Sequence, residues 1–308
     1  MSSQNDTTLA PTSATERISF PPVHIIPSSE KHTHTAILLH GHSGTATSFA
    51  ARLLALRPSA STNTSISSDD SLTALFPTLR LVFPGASTLY SRRLNAHVSS
   101  WFEAASYSDM RVGQALQLPG LAASVRHILR IIDDEVKLLG GDAQRVVLGG
   151  WSQGSATGLW TVICGAASRN VEKSLGGFFG IGPWMSFVDE LSEVISDVDG
   201  EDETTERNAI KGIGFLKQRI DLPGDVNAEA AKNLANTPVL LGHGIDDAVV
   251  PISLGRNICA VLRRMGMTVE WQEFTGASDE GHWVKEPEQF DGIVKFLKQF
   301  VETSKQNR

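Results

Sequence analysis

Ser152 stands in the run Arg145-Val146-Val147-Leu148-Gly149-Gly150-Trp151-Ser152-Gln153-Gly154-Ser155. An apolar, β-branched stretch runs into glycines and then into a small-residue, helix-compatible segment from Ser155 to Ala167. A serine centred in Gly-x-Ser-x-Gly between a strand and a helix is forced onto a sharp turn, which lifts its hydroxyl clear of the sheet where an acyl carbon can reach it. Such a hydroxyl needs a base to take its proton, and the base needs an acceptor to fix its tautomer. On a strand–turn–helix of this kind the acid and then the histidine follow the serine in chain order.

Two histidines lie beyond Ser152, His243 and His282. His243 leaves an apolar strand and precedes Gly244, a position suited to shaping a loop. His282 lies in Thr275 to Trp283, between the last strand and the last helix, where a loop can fold back over the strand ends. His282 is therefore the expected base. The acid belongs in the loop after Pro238-Val239-Leu240-Leu241-Gly242, where Asp246 and Asp247 are both candidates. An oxyanion formed in acyl transfer needs N–H donors, each worth on the order of 3–4 kcal/mol. The amide of Gln153, opening the helix after the serine, is one expected donor, and that of His42, after the strand ending at Leu39, is the other. His32, His34, His40 and His42 do not follow a zinc-ligand spacing and have no cysteine or carboxylate cluster beside them, so neither a metal nor another cofactor is expected.

The elements that must position these groups alternate along the chain. Strand patterns at Thr35–Leu39, Leu79–Phe83, Val146–Leu148, Leu175–Ile181, Pro238–Gly242 and Thr268–Phe274 are separated by helical ones at Ala46–Leu56, Leu121–Leu139, Ser155–Ala167, Ile252–Met265 and Pro287–Val301. Leu121, Val125, Ile128, Ile132, Val136 and Leu139 recur at three- and four-residue steps and form one apolar face. The alternation predicts an α/β fold, a single domain with a mostly parallel central sheet and helices on both faces. In such a sheet reactive groups gather at the carboxyl ends of the strands. Residues 1–14 are polar and read as a disordered tail, with the domain spanning 15–308. Loop insertions are expected at about 57–71, rich in Ser, Thr, Pro and Asp, and at about 189–211, acidic and without clear periodicity over Asp189 to Glu206.

Bulk properties exclude several classes. The chain has 308 residues, 41% of them hydrophobic, a net charge of −7 and a pI near 5.7. An acidic balance argues against a nucleic-acid partner. No run of about 18 apolar residues suggests a transmembrane segment, and the N-terminus lacks the layout of a secretory signal. Cys164 and Cys259 are too few for a disulfide framework and fit a reducing, cytoplasmic compartment. Cys164 is expected to pack rather than react.

With these residues in hand, the chain resembles the acyl-protein thioesterase family, the phospholipase/carboxylesterase group of α/β-hydrolases. Leu39-His40-Gly41, Trp101-Phe102-Glu103, Gly149 to Gly154, Leu241 to Pro251 and Gly281-His282-Trp283 carry the likeness, which spans roughly residues 33 to 302. The resemblance implies a cytosolic α/β-hydrolase that cleaves acyl thioesters on proteins, lysophospholipids or small carboxylic esters through an acyl-enzyme. It also makes Asp247, rather than Asp246, the acid. The chain departs from many relatives after His40-Gly41, where His42-Ser43-Gly44-Thr45 replaces a pattern resembling Leu-Gly-Asp-Thr. Trp101, Trp184 and Trp283, aromatics in predicted loops near the strand ends, are expected to wall a site for the acyl chain. The partner is then an acylated protein or a small ester or lysolipid. The alternatives are a short-chain carboxylesterase without a protein substrate and, from another class, a non-catalytic scaffold.

Overall fold

The computed structural model describes residues 18–59, 70–106, 109, 111–167, 174–195 and 202–306. The tail expected over 1–14 lies outside them. So do residues 60–69 of the first expected insertion and 196–201 of the second.

The chain begins with β1 (His24–Ile26), β2 (His34–Leu39), α1 (Ala46–Ala55), α2 (Leu72–Leu75) and β3 (Leu79–Phe83). A hairpin of β4 (Thr88–Ser91) and β5 (Ala96–Ser99) leads to α3 (Gln114–Leu138). Then come β6 (Val146–Trp151), α4 (Gln153–Gly165), β7 (Gly177–Ile181), α5 (Val188–Val194), α6 (Asp202–Arg219) and α7 (Ala228–Ala235). β8 (Val239–Gly244), α8 (Ile252–Arg264), β9 (Val269–Phe274) and α9 (Glu288–Gln306) complete it. Among the described residues, seven strands form one sheet in the order β1-β3-β2-β6-β7-β8-β9, and β4 and β5 pair separately. Every pairing in the large sheet is parallel except that of β1 with β3.

The apolar strand runs are continuous because both faces of the sheet are covered. All six residues of β2 are buried. Ile37 and Leu39 point into one core with Val125, Ile128 and Ile132 of α3, Leu159 and Ile163 of α4, and Leu262 of α8. Ala36 and Leu38 point into the other with Phe49 and Leu53 of α1 and Phe290, Val294 and Leu297 of α9. α4 is buried along its whole length, which is why its sequence shows small residues and no polar stripe.

The second expected insertion is corrected in part. The described residues on either side of 196–201 are helical rather than loop: α5 ends at Val194 and α6 starts at Asp202. The apolar stripe of α6, Ala209, Ile213 and Leu216, continued by Ile220 just past its end, is buried at three- and four-residue steps, but it lies beyond the acidic stretch that suggested a solvated loop. α3 also starts earlier than expected, at Gln114, with Pro119 inside it.

Candidate active site

Ser152 follows the last residue of β6 and caps the start of α4 with φ 54° and ψ −120°, a region that β-carbon-bearing residues rarely occupy. The strain is held from both sides. The Ser152 N–H donates to Ile181 O of β7 at 2.8 Å, and Ala156 N–H of α4 donates to Ser152 O at 3.0 Å. The flanking glycines are required by close approach. A Cβ at Gly150 would stand 2.4 Å from Gly154 O, and one at Gly154 would stand 2.3 Å from Leu39 O. Both obstacles are main chain, so no side-chain adjustment relieves them.

The expected acid and base meet. His282 Nδ1 and Asp247 Oδ2 are 2.6 Å apart, with the Asp247 side chain fully buried and the His282 side chain 6% exposed. Asp247 Oδ1 accepts the N–H groups of Val249 and Val250, each at 2.8 Å. Burial opposes charge on this carboxyl, yet the hydrogen bonds from His243, His282 and Val250 outweigh it and hold the group well below the usual carboxylate range. Asp246 does something else. It is exposed, and its Oδ2 accepts the N–H of Gly276, pinning the base loop to the acid loop at 2.8 Å.

His282 is brought to the elbow by its own loop. Asp279 and Glu280 take positive φ, the His282 N–H donates to Asp279 O at 2.9 Å, and Ala248 N–H donates to Glu280 O at 3.0 Å. The indole N–H of Trp151, the residue before Ser152, donates to His282 O at 2.6 Å. The imidazole lies over the end of β7, where a Cβ at Gly182 would stand 3.1 Å from His282 Cε1. Ile181, next to Gly182, is the residue whose carbonyl holds the Ser152 amide.

The two expected donor amides lie in turns bordering the elbow. Gln153 opens α4, where first-turn amides have no intrahelical acceptor. His42 lies in the turn after β2, where Ser43 takes φ 60° and spends its N–H on Ser99 O at 2.9 Å. The His42 imidazole meets Ser43 Oγ at 2.8 Å. Burial, and then the nearby Arg93 and His40, pull it down to about 4. His40 is structural: its Nδ1–H donates to Gly41 O at 2.7 Å and its Nε2 accepts the Ala86 N–H at 3.0 Å.

The three tryptophans are core. Trp101, Trp184 and Trp283 are 0%, 1% and 4% exposed. Trp101 donates its indole N–H to His40 O at 2.8 Å, Trp184 packs edge-on against Phe102 at 5.6 Å, and Trp283 packs against Trp151 at 4.7 Å. Rings so covered offer no open face to a substrate, so the acyl wall expected of them is not what the structure presents. The use of Trp101-Phe102 lies instead in the Gln153 side chain. Its Oε1 accepts from Trp101 N–H at 3.1 Å and its Nε2 donates to Phe102 O at 2.7 Å, binding that segment to the elbow. Position 153 was singled out for its backbone amide, and this second use of its side chain has no signature at the level of motif spacing.

Cys164 is buried in α4 with its thiol pushed up to about 12 by burial, which suits packing and not nucleophilic attack. Among the described residues no group of three or more His, Cys, Asp or Glu could hold a metal ion, and no helix is long and apolar enough to cross a membrane.

The sequence profile of the phospholipase/carboxylesterase family matches residues 22–199. The chain is 23% identical over 278 residues to acyl-protein thioesterase 1 of Gibberella zeae, covering 89% of this chain and 93% of the relative. It is 24% identical over 206 residues to the carboxylesterase SOBER1 of Arabidopsis thaliana, covering 67% and 68%. Among solved structures, acyl-protein thioesterase 2 of Zea mays superposes with a TM-score of 0.60 at 21% identity, covering 91% of this chain and 99% of the other.

Proposed function

The chain belongs to the phospholipase/carboxylesterase family of hydrolases, and on that premise we propose that it is a serine esterase or thioesterase in which Ser152, His282 and Asp247 act together. The Ser152 hydroxyl attacks the acyl carbonyl and gives its proton to His282 Nε2. Asp247, bonded to Nδ1, keeps that nitrogen protonated and stabilises the imidazolium that forms. The oxyanion is held by the N–H groups of Gln153 and His42. Collapse expels the thiol or alcohol, which takes the proton from His282. Water, activated by the same imidazole, then hydrolyses the acyl-enzyme.

The observation that carries this reading is the 2.6 Å contact of His282 Nδ1 with Asp247 Oδ2, on a loop tied to the residue before Ser152. The substrate class favoured is an acylated protein, with lysolipids and small esters behind it, because the relatives matched over 93% and 94% of their length are acyl-protein thioesterases. A carboxylesterase without a protein substrate is the second reading, favoured by the match to SOBER1. A cytoplasmic setting fits two thiols that are both buried and unbridged.

A fluorophosphonate probe tests the assignment. It is expected to label the protein at Ser152, and Ser152→Ala is expected to abolish both labelling and turnover. Persistent turnover in that variant overturns the reading. A chain-length series of acyl thioesters and nitrophenyl esters separates the two substrate classes, since turnover of acetyl and butyryl oxygen esters alone removes the thioesterase reading.

A further inference from the structure

A second histidine touches the acid. His243, the penultimate residue of β8, is fully buried, and its Nε2 lies 3.2 Å from Asp247 Oδ2, the same oxygen that meets His282. That nitrogen also lies 2.9 Å from Val250 O. Both neighbours are acceptors, so Nε2 carries the hydrogen and shares it between them. The far nitrogen, Nδ1, is buried with no hydrogen-bond partner and faces α8, where a Cβ at Gly255 would stand 2.5 Å away. Only one edge of the ring meets acceptors, which fixes its orientation.

We propose that His243 is a positioning residue for the acid: its Nε2–H holds Asp247 Oδ2 in line with His282 and limits how strongly that oxygen draws the proton on His282 Nδ1. The proposal rests on the assignment of Ser152, His282 and Asp247 given above. With His243 in place four N–H groups surround the carboxylate: Val249 N and Val250 N bonded to Oδ1, His282 Nδ1 bonded to Oδ2, and His243 Nε2 at 3.2 Å from Oδ2 beside its bond to Val250 O. Four is the number that a carboxylate's lone pairs accommodate. A saturated carboxylate has one orientation available, and it shares its charge among all four bonds. Without His243 the charge falls more heavily on the bond to His282. The base is then more readily protonated, and Asp247 is freer to rotate about its remaining contacts.

The charged and titratable groups around His243 are few. Asp247 comes from the acid loop and His282 from the base loop. Glu273 on β9 is the register partner of His243 and is bonded at 2.8 Å to Arg256 of α8. Glu273 and Arg256 are already paired to each other, so Asp247 is the charged acceptor that His243 Nε2 meets, beside the Val250 carbonyl.

The test compares His243→Leu, which removes the donor, with His243→Gln, whose amide can place a donor near the position of Nε2. Rates are expressed per site labelled by the fluorophosphonate probe. The leucine variant is expected to lose about tenfold in kcat with little change in KM. The acid limb of its kcat/KM profile is expected to move to higher pH, and the glutamine variant to recover most of both changes. If the leucine variant does not fold, His243→Asn, whose shorter amide falls short of Oδ2, takes its place with the same expectation. An unmoved pH profile with wild-type kcat per labelled site overturns the inference. So does equal loss in the glutamine and donor-lacking variants in step with a fall in Tm, which marks a packing role only. Wild-type protein that fails to label at Ser152 instead overturns the assignment on which the inference rests, and the two failures are thereby told apart.

Discussion

The two halves of the candidate site are held by different physics. The elbow is a main-chain object. Ser152 sits at a strained φ, its amide is spent on β7, and the glycines on either side face carbonyl oxygens at 2.3–2.4 Å from where a Cβ would be. The acid–base half is a side-chain object, in which Asp247 is fixed by four donors and His282 by one carboxylate and a loop of turns. The first half is intolerant of volume and indifferent to charge. The second is intolerant of a changed hydrogen-bond pattern and has some room for volume. The difference teaches that loss of activity arises by two separable routes, one through the backbone and one through proton placement.

Asp247→Asn gives the largest expected effect and tests the side-chain half. The amide keeps the shape but has one acceptor oxygen in place of two, so it cannot serve the histidines and the Val249 and Val250 N–H groups together, and kcat falls by about 10⁴ while circular dichroism shows a folded protein. Gly154→Ala tests the other half. With Leu39 O in the way the backbone must shift, and stability falls by more than about 3 kcal/mol together with activity, read from the urea midpoint and from labelling. If the asparagine variant unfolds, or if the alanine variant folds normally and works, the comparison breaks.

Trp101→Phe probes the seam between the halves. It keeps the buried ring but loses the bond to His40 O. A cost of about 1 kcal/mol in stability is expected, with no change in acyl chain-length preference. A changed preference would restore Trp101 to the substrate wall.

The smallest effect is in acid stability. His42 and His127 both fold with values near 4, burial first and a neighbouring arginine second, against 6.5 for the free side chain. Between these values the unfolded chain binds protons that the native one refuses, so this contribution is complete above about pH 6.5 and is lost as pH falls towards 4. Asp247 acts in a lower window, its contribution being lost only as pH falls below about 4. His127→Phe, which keeps the stack on Phe20, should reduce the loss of unfolding free energy between about pH 6.5 and 4 by on the order of 1 kcal/mol, read from urea midpoints across that window.

Much of this was legible in the chain because apolar runs ending in glycine mark buried parallel strands. Strands β2, β3, β6, β7 and β8 announced themselves in that way, and β9 by its partial alternation; together they carry the elbow, the acid loop and the base loop. What stayed hidden depended on which way a side chain turns. Asp246 and Asp247 are adjacent and chemically alike, and burial separates them: one faces the base and the other ties a loop amide. The tryptophans near strand ends suggested a wall for an acyl chain because loop residues carry no periodicity to report an inward direction. The β4–β5 hairpin is short, polar and apart from the main sheet, so it gave no alternation to read. Acidic residues in the first turns of α6 masked the apolar stripe behind them.

Gln153 has a consequence for anyone who would redesign this protein. Its main chain belongs to the turn that presents the serine, while its amide group staples Trp101 and Phe102 in place. Libraries that randomise 100–103 with Gln153 left constant will therefore discard variants whose only fault is a mismatched staple. Diversifying both stretches in one library lets new sequences be sampled as compatible pairs.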